Sequence, residues 1–214
     1  MKDIPMFTTE YGAAGLILRE IPYQGEAYIR VHHSLEPLKL VEECVGFCRA
    51  VGAERVYASG DEALVAYPLR TAILRMSCLR ENLGETEASV FPVNADTASR
   101  FQMIYNEKVR HVPNGAWMTD SDTQQMLQTG DGYFIHRAGS LLGIGRADGG
   151  EIRFLASCAP GAGADVVRAL AHVVTEDKLT LQVASENRKA VALYERLGFV
   201  KTAELSRWYR VFPR

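Results

Sequence analysis

Residues 181–199 read LQVASENRKAVALYERLGF, and the spacing of their apolar residues changes once. Leu181 and Val183 alternate with polar neighbours, which is typical of a strand with two different faces. Over residues 190–197 the apolar positions recur at helical spacing, and Gly198 follows where a left-handed residue ends a helix at the least steric cost. The stretch therefore predicts a strand, a polar turn and a short helix.

This stretch resembles the second half of the acyl-CoA site in the GCN5-related N-acetyltransferase (GNAT) superfamily. The usual form there is a strand that continues as Val-x-x-x-Asn-x-x-Ala-x-x-Leu-Tyr-x-x-x-Gly-Phe. The residues that match at this spacing are Val183, Asn187, Ala190, Leu193, Tyr194, Gly198 and Phe199. The resemblance implies an α/β fold with a mixed, mostly antiparallel sheet flanked by helices, and an acetyl-CoA-dependent N-acetyltransferase activity.

The overall composition excludes several other classes of protein. The 214 residues carry 24 Lys and Arg against 26 Asp and Glu, and no basic cluster could neutralise several phosphates of a nucleic acid. No apolar run approaches the roughly 18 to 20 residues of a membrane span, and residues 1–5 lack the apolar core of a secretory signal. We therefore expect a cytoplasmic protein without a nucleic-acid or membrane partner.

The cysteines do not suggest a metal site. They lie at Cys44, Cys48, Cys78 and Cys158, without the C-x-x-C spacing of structural zinc sites. Cys44 and Cys48 share one face of a predicted helix, which favours two small core side chains. Reduced thiols fit a cytosolic location.

The charged segment 77–86 is the predicted linker between two parts of the chain. Residues 86–214 are predicted to form the acetyltransferase domain, because their pattern gives strand, two helices, hairpin, strand, helix, strand, helix and final strands, the order of the superfamily. Residues 1–85 are predicted to form a smaller α/β segment. Its predicted elements are a turn at 12–15, strands at 27–31 and 54–58, and a helix at 38–51.

A weak internal repeat relates the two parts at an offset of 126 residues. The matching pairs are Ala58-Ser59 with Ala184-Ser185, and Val65-Ala66 with Val191-Ala192. The positions that differ are Leu35, Pro37 and Asp61 against Gly161, Gly163 and Asn187. A carboxylate is a poor neighbour for a pyrophosphate, so the N-terminal segment is interpreted as a degenerate half-copy without a cofactor site.

Residues 159–165 form a glycine-containing loop before a predicted helix. The pyrophosphate of coenzyme A needs unpaired backbone N–H groups, which a helix start provides, and glycines let the chain come close. The superfamily loop usually reads Arg/Gln-x-x-Gly-x-Gly/Ala, which puts Pro160 at the Arg/Gln position and Asp165 at the final small residue. Both are departures, because Pro160 has no donor and Asp165 adds negative charge, although acidic residues favour the first turn of a helix.

The resemblance also implies which residues contact acetyl-CoA, which such enzymes use without a metal. The pantetheine arm would pair with the strand that precedes the loop and contact Asn187. Asparagine is common as a turn residue or helix cap as well, and the sequence leaves that role open. The implied contacts are Leu155, Ala156, Ser157, Gly161, Ala162, Gly163, Ala164, Asn187, Ala190 and Tyr194.

Acetyl transfer to an amine involves two protons, one lost by the ammonium and one gained by the thiolate. Tyr194 stands where the superfamily commonly has the general acid. Glu151 opens the strand before the loop, where related enzymes often place a carboxylate base, but a solvated charge is an equally good interpretation. The weaker alternatives for the base are Asp148, His136 and Glu186. Cys158 is interpreted as a bystander, since transfer in the superfamily is direct.

The acceptor is expected to be a primary amine on a small molecule or peptide, bound near segment 109–118 with His111, Pro113 and Trp117. The sequence identifies neither the amine nor the oligomeric state, and a homodimer remains open. The main alternative is a catalytically silent acyl-CoA-binding or scaffold protein of the same fold. The missing Arg at Pro160 is the observation that favours it.

Overall fold

The structure is a computed structural model that describes residues 5–213. The prediction that residues 1–5 lack a secretory signal therefore falls almost entirely outside the described residues. The chain forms two compact units. Within the described part, the N-terminal unit comprises residues up to Ile73 and from Glu204 onwards, and the C-terminal unit is Leu74–Ala203.

The N-terminal unit is a sheet with one main helix. Its elements are β1 (Met6–Thr9), β2 (Gly12–Ile17), α1 (Ile21–Gln24), β3 (Glu26–Ser34), α2 (Pro37–Ala50), β4 (Arg55–Ser59) and a 3-10 turn at Glu62–Ala66. β1, β2 and β3 pair antiparallel, whereas β3 and β4 are parallel neighbours joined through α2. The core side of α2 is formed by Leu40, Val41, Cys44 and Cys48, because these residues recur at helical spacing.

Two long strands connect the units in sequence. β5 (Leu69–Leu79) leads into the C-terminal unit, and β11 (Val200–Phe212) leads back from it. The elements between them are β6 (Ser89–Pro92), α3 (Ala98–Val109), α4 (Asp120–Thr129), β7 (Gly132–Arg137), β8 (Ser140–Asp148), β9 (Glu151–Ser157), α5 (Gly163–Val173), β10 (Lys178–Ala184) and α6 (Arg188–Arg196). The strand order in this unit is β5-β10-β9-β8-β7-β6.

Helices flank both faces of the sheet in the C-terminal unit. α5 and α6 contribute to one apolar cluster, and α3 and α4 contribute to another on the opposite face. α5 approaches β8 closely at Gly143 and Gly145. A Cβ on Gly143 would meet Val166 Cγ2 at 2.5 Å, and one on Gly145 would overlap Leu170. These glycines let the helix lie directly on the strand, and the predicted mixed, mostly antiparallel sheet flanked by helices is confirmed.

Two predictions about the N-terminal part are wrong. Residues 12–15, predicted as a turn, belong to β2, and the chain reverses at Glu10 and Tyr11 instead. Gly12 allows β2 to lie close to β3, because a Cβ there would overlap the backbone of His33 in β3. The predicted linker at 77–86 begins inside β5 and continues as a 3-10 turn at Arg80–Leu83. The compact units divide the chain after Ile73 and again after Ala203. The assignment of residues 1–85 and 86–214 to separate domains stays a prediction.

The two units share an order of elements: two antiparallel strands, a helix, a parallel strand and a capped turn. α2 begins at Pro37 and α5 at Gly163, which are 126 positions apart. The caps Asp61 and Asn187 have the same offset, and each side chain accepts a backbone N–H two or three residues later. The half-copy interpretation rests on this correspondence and stays a prediction.

Candidate functional site

β9 and β10 run parallel but pair over a short length. Their paired residues are Glu151 with Thr180 and Ile152 with Leu181. Within the described residues the register holds no pairs after these, so the strands diverge toward their C-terminal ends. Beyond these two pairs the facing backbone groups of β9 and β10 are not paired with each other, and we call the gap between the diverging strands the crevice.

The loop between β9 and α5 is held by the strand beside it. The N–H groups of Cys158 and Ala159 donate to the carbonyl of Leu142 on β8, at 2.8 and 3.3 Å. The Ser157 hydroxyl donates to the Ala159 carbonyl at 2.8 Å. Gly161 has a φ of 77°, in the left-handed region that favours glycine. The loop is therefore fixed at the mouth of the crevice.

The start of α5 has no side-chain cap, because its N-cap residue is Ala162. The first N–H groups of a helix have no intrahelical acceptor and carry the positive end of its dipole. Gly163, the first helical residue, adjoins α6, and a Cβ there would meet Leu193 Cδ2 at 2.8 Å. The two sequence halves of the predicted acyl-CoA site are thus adjacent, and the uncapped start fits an anionic group.

The structure gathers half of the predicted cofactor residues into one apolar cluster, which also contains Val183. The gathered residues are Leu155, Ala162, Ala164, Ala190 and Tyr194. Ala156 belongs to the cluster on the opposite face, because successive side chains of a strand alternate. Ser157 ends β9, Gly161 lies in the loop and Gly163 begins α5, so these three residues bring backbone groups rather than apolar side chains to the candidate site.

Asn187 is the N-cap of α6. Its side-chain oxygen accepts the N–H of Ala190 at 3.3 Å, which satisfies one of the free donors of the first turn. The residue is half-buried at the crevice end of β10. The cap role that the sequence leaves open is therefore present, and it leaves the amide nitrogen as the atom for a ligand contact.

Tyr194 lies on the face of α6 that packs on the sheet. Its side chain is 7% exposed, and its ring centroid lies 5.8 Å from that of Phe199. Burial raises the pKa of Tyr194 to about 12, because the charged phenolate would lose its hydration. The hydroxyl is therefore protonated at neutral pH.

Glu151 opens β9 and pairs with Thr180, one position before the last pair of β9 and β10. Because Ile152 packs in the cluster with Tyr194, the carboxylate of Glu151 projects from the opposite face. The Gln182 amide donates to Glu151 Oε1 at 3.4 Å, and Arg153 Nε lies 3.8 Å from Glu151 Oε2. Tyr194 and the Glu151 carboxylate therefore lie on opposite faces of the sheet.

The alternative bases are less well placed. Asp148 is ion-paired with Arg153 at 2.9 Å. His136 is on β7, two strands away from β9 in the sheet, with its ring against that of Phe91. Glu186 is exposed in the turn before α6. Glu151 therefore remains the better candidate on position.

Asp165, the departure from the superfamily loop, has partners that sequence reasoning missed. Its carboxylate accepts from Arg137 Nη1 at 2.9 Å and from the Thr86 hydroxyl at 3.2 Å. Arg168 Nη1 lies 3.8 Å away. Two guanidinium groups thus share one carboxylate at the start of α5, so the negative charge of Asp165 is compensated. No sequence signal identifies Arg137, because the ion pair spans 28 positions.

The segment 109–118, predicted to shape the acceptor site, is anchored by α3. Asn106 donates to the Met118 carbonyl at 3.0 Å and accepts the Met118 N–H at 2.8 Å. The Arg110 guanidinium lies 5.7 Å from the Trp117 ring centroid. His111 is exposed at the surface of this segment. The segment is therefore held to the helix through its C-terminal end.

Cys158 lies in the loop as predicted, half-buried. Burial is the largest of the causes that raise the pKa of its thiol, so the thiolate is scarce at neutral pH. In residues 5–213, no three His, Cys, Asp or Glu side chains are grouped to hold a metal ion. Nor does any helix in that part of the chain have the length and apolarity to cross a membrane.

Neither a protein-family profile nor a curated protein sequence matches this chain. Solved structures do resemble it. A functionally unknown conserved protein from Staphylococcus epidermidis is 13% identical with a TM-score of 0.62, and the match covers 97% of this chain and 93% of that one. A GCN5-related N-acetyltransferase from Anabaena variabilis is 12% identical with a TM-score of 0.59, covering 92% of this chain and 58% of that one.

A GNAT-family acetyltransferase from Colwellia psychrerythraea gives a third match, at 11% identity and a TM-score of 0.52. That match covers 96% of this chain and 84% of that one. At these identities the likeness shows the fold. The chain has the fold of the GCN5-related N-acetyltransferases, as the resemblance of residues 181–199 implies.

Proposed function

We propose that this chain is an acetyl-CoA-dependent N-acetyltransferase that transfers an acetyl group to a primary amine by direct attack. The observation that carries the proposal is the divergence of β9 and β10 after Ile152 and Leu181. It opens a crevice at the uncapped start of α5, beside Asn187 and Tyr194. We further propose a cytoplasmic location, which the four free cysteines fit.

The crevice suits acetyl-CoA, which supplies the reactive thioester. The backbone of residues 154–157 is free on the β10 side to pair with the pantetheine arm, and the Asn187 amide nitrogen would add a hydrogen bond. The first N–H groups of α5 would receive the pyrophosphate. Arg137 and Arg168 compensate Asp165, so the charge that departs from the superfamily pattern need not repel the phosphates.

Glu151 and Tyr194 would handle the two protons. Glu151 takes one proton from the acceptor ammonium, directly or through a water, so that the amine nitrogen can attack the carbonyl carbon. As the new C–N bond forms and the C–S bond breaks, the nitrogen releases its second proton to water and the Tyr194 hydroxyl donates a hydrogen bond to the leaving sulfur. Because burial holds the pKa of Tyr194 near 12, above the roughly 8.5 of a thiol, this donor stabilises the developing thiolate and retakes its proton readily.

A catalytically silent acyl-CoA-binding protein is the second candidate. Pro160 favours it, because proline offers neither a side-chain donor nor an N–H where the superfamily has Arg or Gln. This candidate predicts cofactor binding without turnover.

Thermal denaturation with acetyl-CoA is the first test. At a concentration near 100 times the Kd, binding should raise Tm by about 5–10 °C. Free CoA should give a similar rise, whereas acetate alone should give none. A Tm that no CoA ester changes would contradict both candidates.

Release of thiol from acetyl-CoA with a panel of primary amines separates the two candidates. Tyr194→Phe should lower the rate by about 100-fold or more while the thermal shift with acetyl-CoA persists. Phe91→Leu is the matched control, since its exposed ring lies on β6, three strands from β9. Binding with no turnover in the wild type would support the silent protein.

A further inference from the structure

The sheet of the N-terminal unit has a second face, opposite α2, that carries arginines and aromatic rings. Ile29 of β3, Ala58 of β4 and Tyr209 of β11 all pack in the core on the α2 side. Because side chains alternate along a strand, their neighbours in sequence point to the other side. We call that side the basic face, and its residues are Tyr28, Arg30, Tyr57, Ser59, Trp208 and Arg210.

The strand register makes the basic face one continuous surface. Tyr57 pairs with Tyr28 of β3 on one side and with Arg210 of β11 on the other. Ser59, two residues further along β4, pairs with Arg30. Neighbouring strands lie about 4.8 Å apart. Arg30 and Arg210 therefore flank β4 from both sides at the place where Ser59 lies.

Aromatic rings form the floor of the basic face. The ring of Tyr28 lies 5.4 Å from that of Tyr57 and 5.5 Å from that of Trp208, between centroids. The Arg70 guanidinium lies 5.8 Å from the Tyr57 ring centroid and adds a third positive charge. The floor is closely packed, since Tyr28 is 5% exposed and Tyr57 is 3% exposed.

Two of the arginines have no partner of their own. Arg30 and Arg210 are exposed, and within residues 5–213 neither guanidinium makes a hydrogen bond or an ion pair. Glu26 does not neutralise them, because its carboxylate already accepts from both tyrosine hydroxyls of the face and from Arg55 Nε. The basic face therefore offers two guanidinium groups to an anion.

Between these arginines lies a hydroxyl without a partner. Ser59 is 5% exposed, and in the described part of the chain its hydroxyl makes no hydrogen bond. An unpaired hydroxyl at a nearly buried position is unfavourable, and such groups usually have a partner in the native state. The position of Ser59 is independent of the charges and points to a ligand that accepts its proton.

We propose that the basic face binds a phosphate group, with Ser59 donating one hydrogen bond and with Arg30 and Arg210 closing over it. A phosphate monoester carries nearly two negative charges at neutral pH, which match two arginines, whereas a carboxylate carries one. The planar guanidinium pairs bidentately with phosphate oxygens. A single-stranded nucleic acid fits less well, because the buried rings of Tyr28 and Tyr57 cannot stack on bases.

Nuclear magnetic resonance of the 15N-labelled chain tests the site by its location. Inorganic phosphate at constant ionic strength should shift the amide signals of residues 57–60 and 208–210, with a Kd of about 1 mM or tighter. Phosphate at the start of α5 would shift Gly163 instead, so the two places are measured separately. Glycerol phosphate in a parallel titration distinguishes an ester from the free ion, since the natural form should bind more tightly.

Three variants test the assigned residues. Arg30→Gln and Arg210→Gln should each weaken phosphate binding about tenfold, because each removes a charged donor. Ser59→Ala should weaken it several-fold, yet without phosphate it should not lower Tm, since no hydrogen bond is lost. Arg100→Gln is the matched control, because Arg100 is exposed on α3 in the C-terminal unit, and it should bind phosphate as the wild type does.

Signals of residues 57–60 that do not move at about 20 mM phosphate would overturn the proposal. Equal shifts with acetate would overturn the assignment to phosphate. Wild-type binding in the double variant Arg30→Gln and Arg210→Gln, or an equal loss in Arg100→Gln, would overturn the assigned residues. Failure of acetyl-CoA to bind would contradict the proposed function without changing any of these results.

Discussion

Asn187 has two polar side-chain atoms, and α6 uses one of them. Its oxygen caps the helix through the Ala190 N–H, whereas its nitrogen is the proposed donor to the pantetheine arm. A cap and a ligand contact in one residue can be separated by substitution, because a serine hydroxyl caps a helix but lacks the amide group. The two roles therefore predict different results for two variants.

Asn187→Ala should lower the free energy of unfolding by about 1 kcal/mol, a fall in Tm of about 2–4 °C, because the capping bond is lost. Asn187→Ser should keep most of that stability. Both variants should bind acetyl-CoA about tenfold more weakly, as isothermal titration calorimetry would show. Wild-type affinity in Asn187→Ser would mean that the residue acts only as a cap.

Tyr194 should make stability depend on alkaline pH. The pKa of Tyr194 is about 12 in the folded chain and about 10 in an unfolded one. The contribution of its protonated hydroxyl to the free energy of unfolding is therefore complete below pH 10 and is lost as the pH rises toward 12. Near pH 11 the loss should reach about 1 kcal/mol. Urea denaturation at pH 8 and pH 11 should show a smaller decrease for Tyr194→Phe than for the wild type, and equal decreases would contradict burial of the hydroxyl.

The start of α5 combines a helix dipole with a paired carboxylate. Asp165 belongs to the first turn, where an acidic residue is favourable, and Arg137 reaches it from the end of β7. The pair joins the hairpin to the helix beside the loop that would hold the phosphates. Its charge balance should therefore set the affinity for acetyl-CoA.

Arg137→Gln should weaken acetyl-CoA binding by several-fold, because it removes a positive charge that compensates Asp165 beside the phosphates. Asp165→Asn should strengthen it, and the double variant should lie close to the wild type. Titration at low and moderate salt provides the measurement, since salt screens these exposed charges. Arg153→Gln is the control on the opposite side of the sheet, and an equal effect there would argue against a local cause.

Some of the elements were predictable from the sequence and others were not. The two helices and the hairpin of residues 86–214 were predictable in type and order, because helical spacing and a glycine-containing turn mark them. β1 and β5 were not, since Leu69–Leu79 follows no clean alternation and places Arg70 and Arg75 among apolar residues. In the candidate site, the glycine-containing loop follows from the local sequence, and Asn187 follows from the family resemblance. Thr86 and Arg137 meet Asp165 only through tertiary packing, which no local pattern encodes.

The two units have the same order of elements but differ in one parallel pair of strands. β3 and β4 pair from Glu26–Arg55 through Arg30–Ser59, which is the full length of β4. β9 and β10 pair at two positions and then diverge. Gly60 follows β4 and keeps the chain close to β3, because a Cβ there would overlap the Val31 backbone. The proposed pantetheine site therefore has unpaired backbone groups between β9 and β10, whereas β3 pairs with β4 along the whole of β4.

The chain should therefore bind one acetyl-CoA, and backbone pairing rather than side chains should be the reason. Calorimetry should give a stoichiometry near one per chain, and replacing Gly163 by Trp should abolish binding altogether. The triple variant Leu35→Gly, Pro37→Gly and Asp61→Asn restores the C-terminal residue types in the N-terminal unit. Because β3 and β4 stay paired to the end of β4, its stoichiometry should remain one. A second site in the triple variant would show that side chains alone closed the N-terminal crevice.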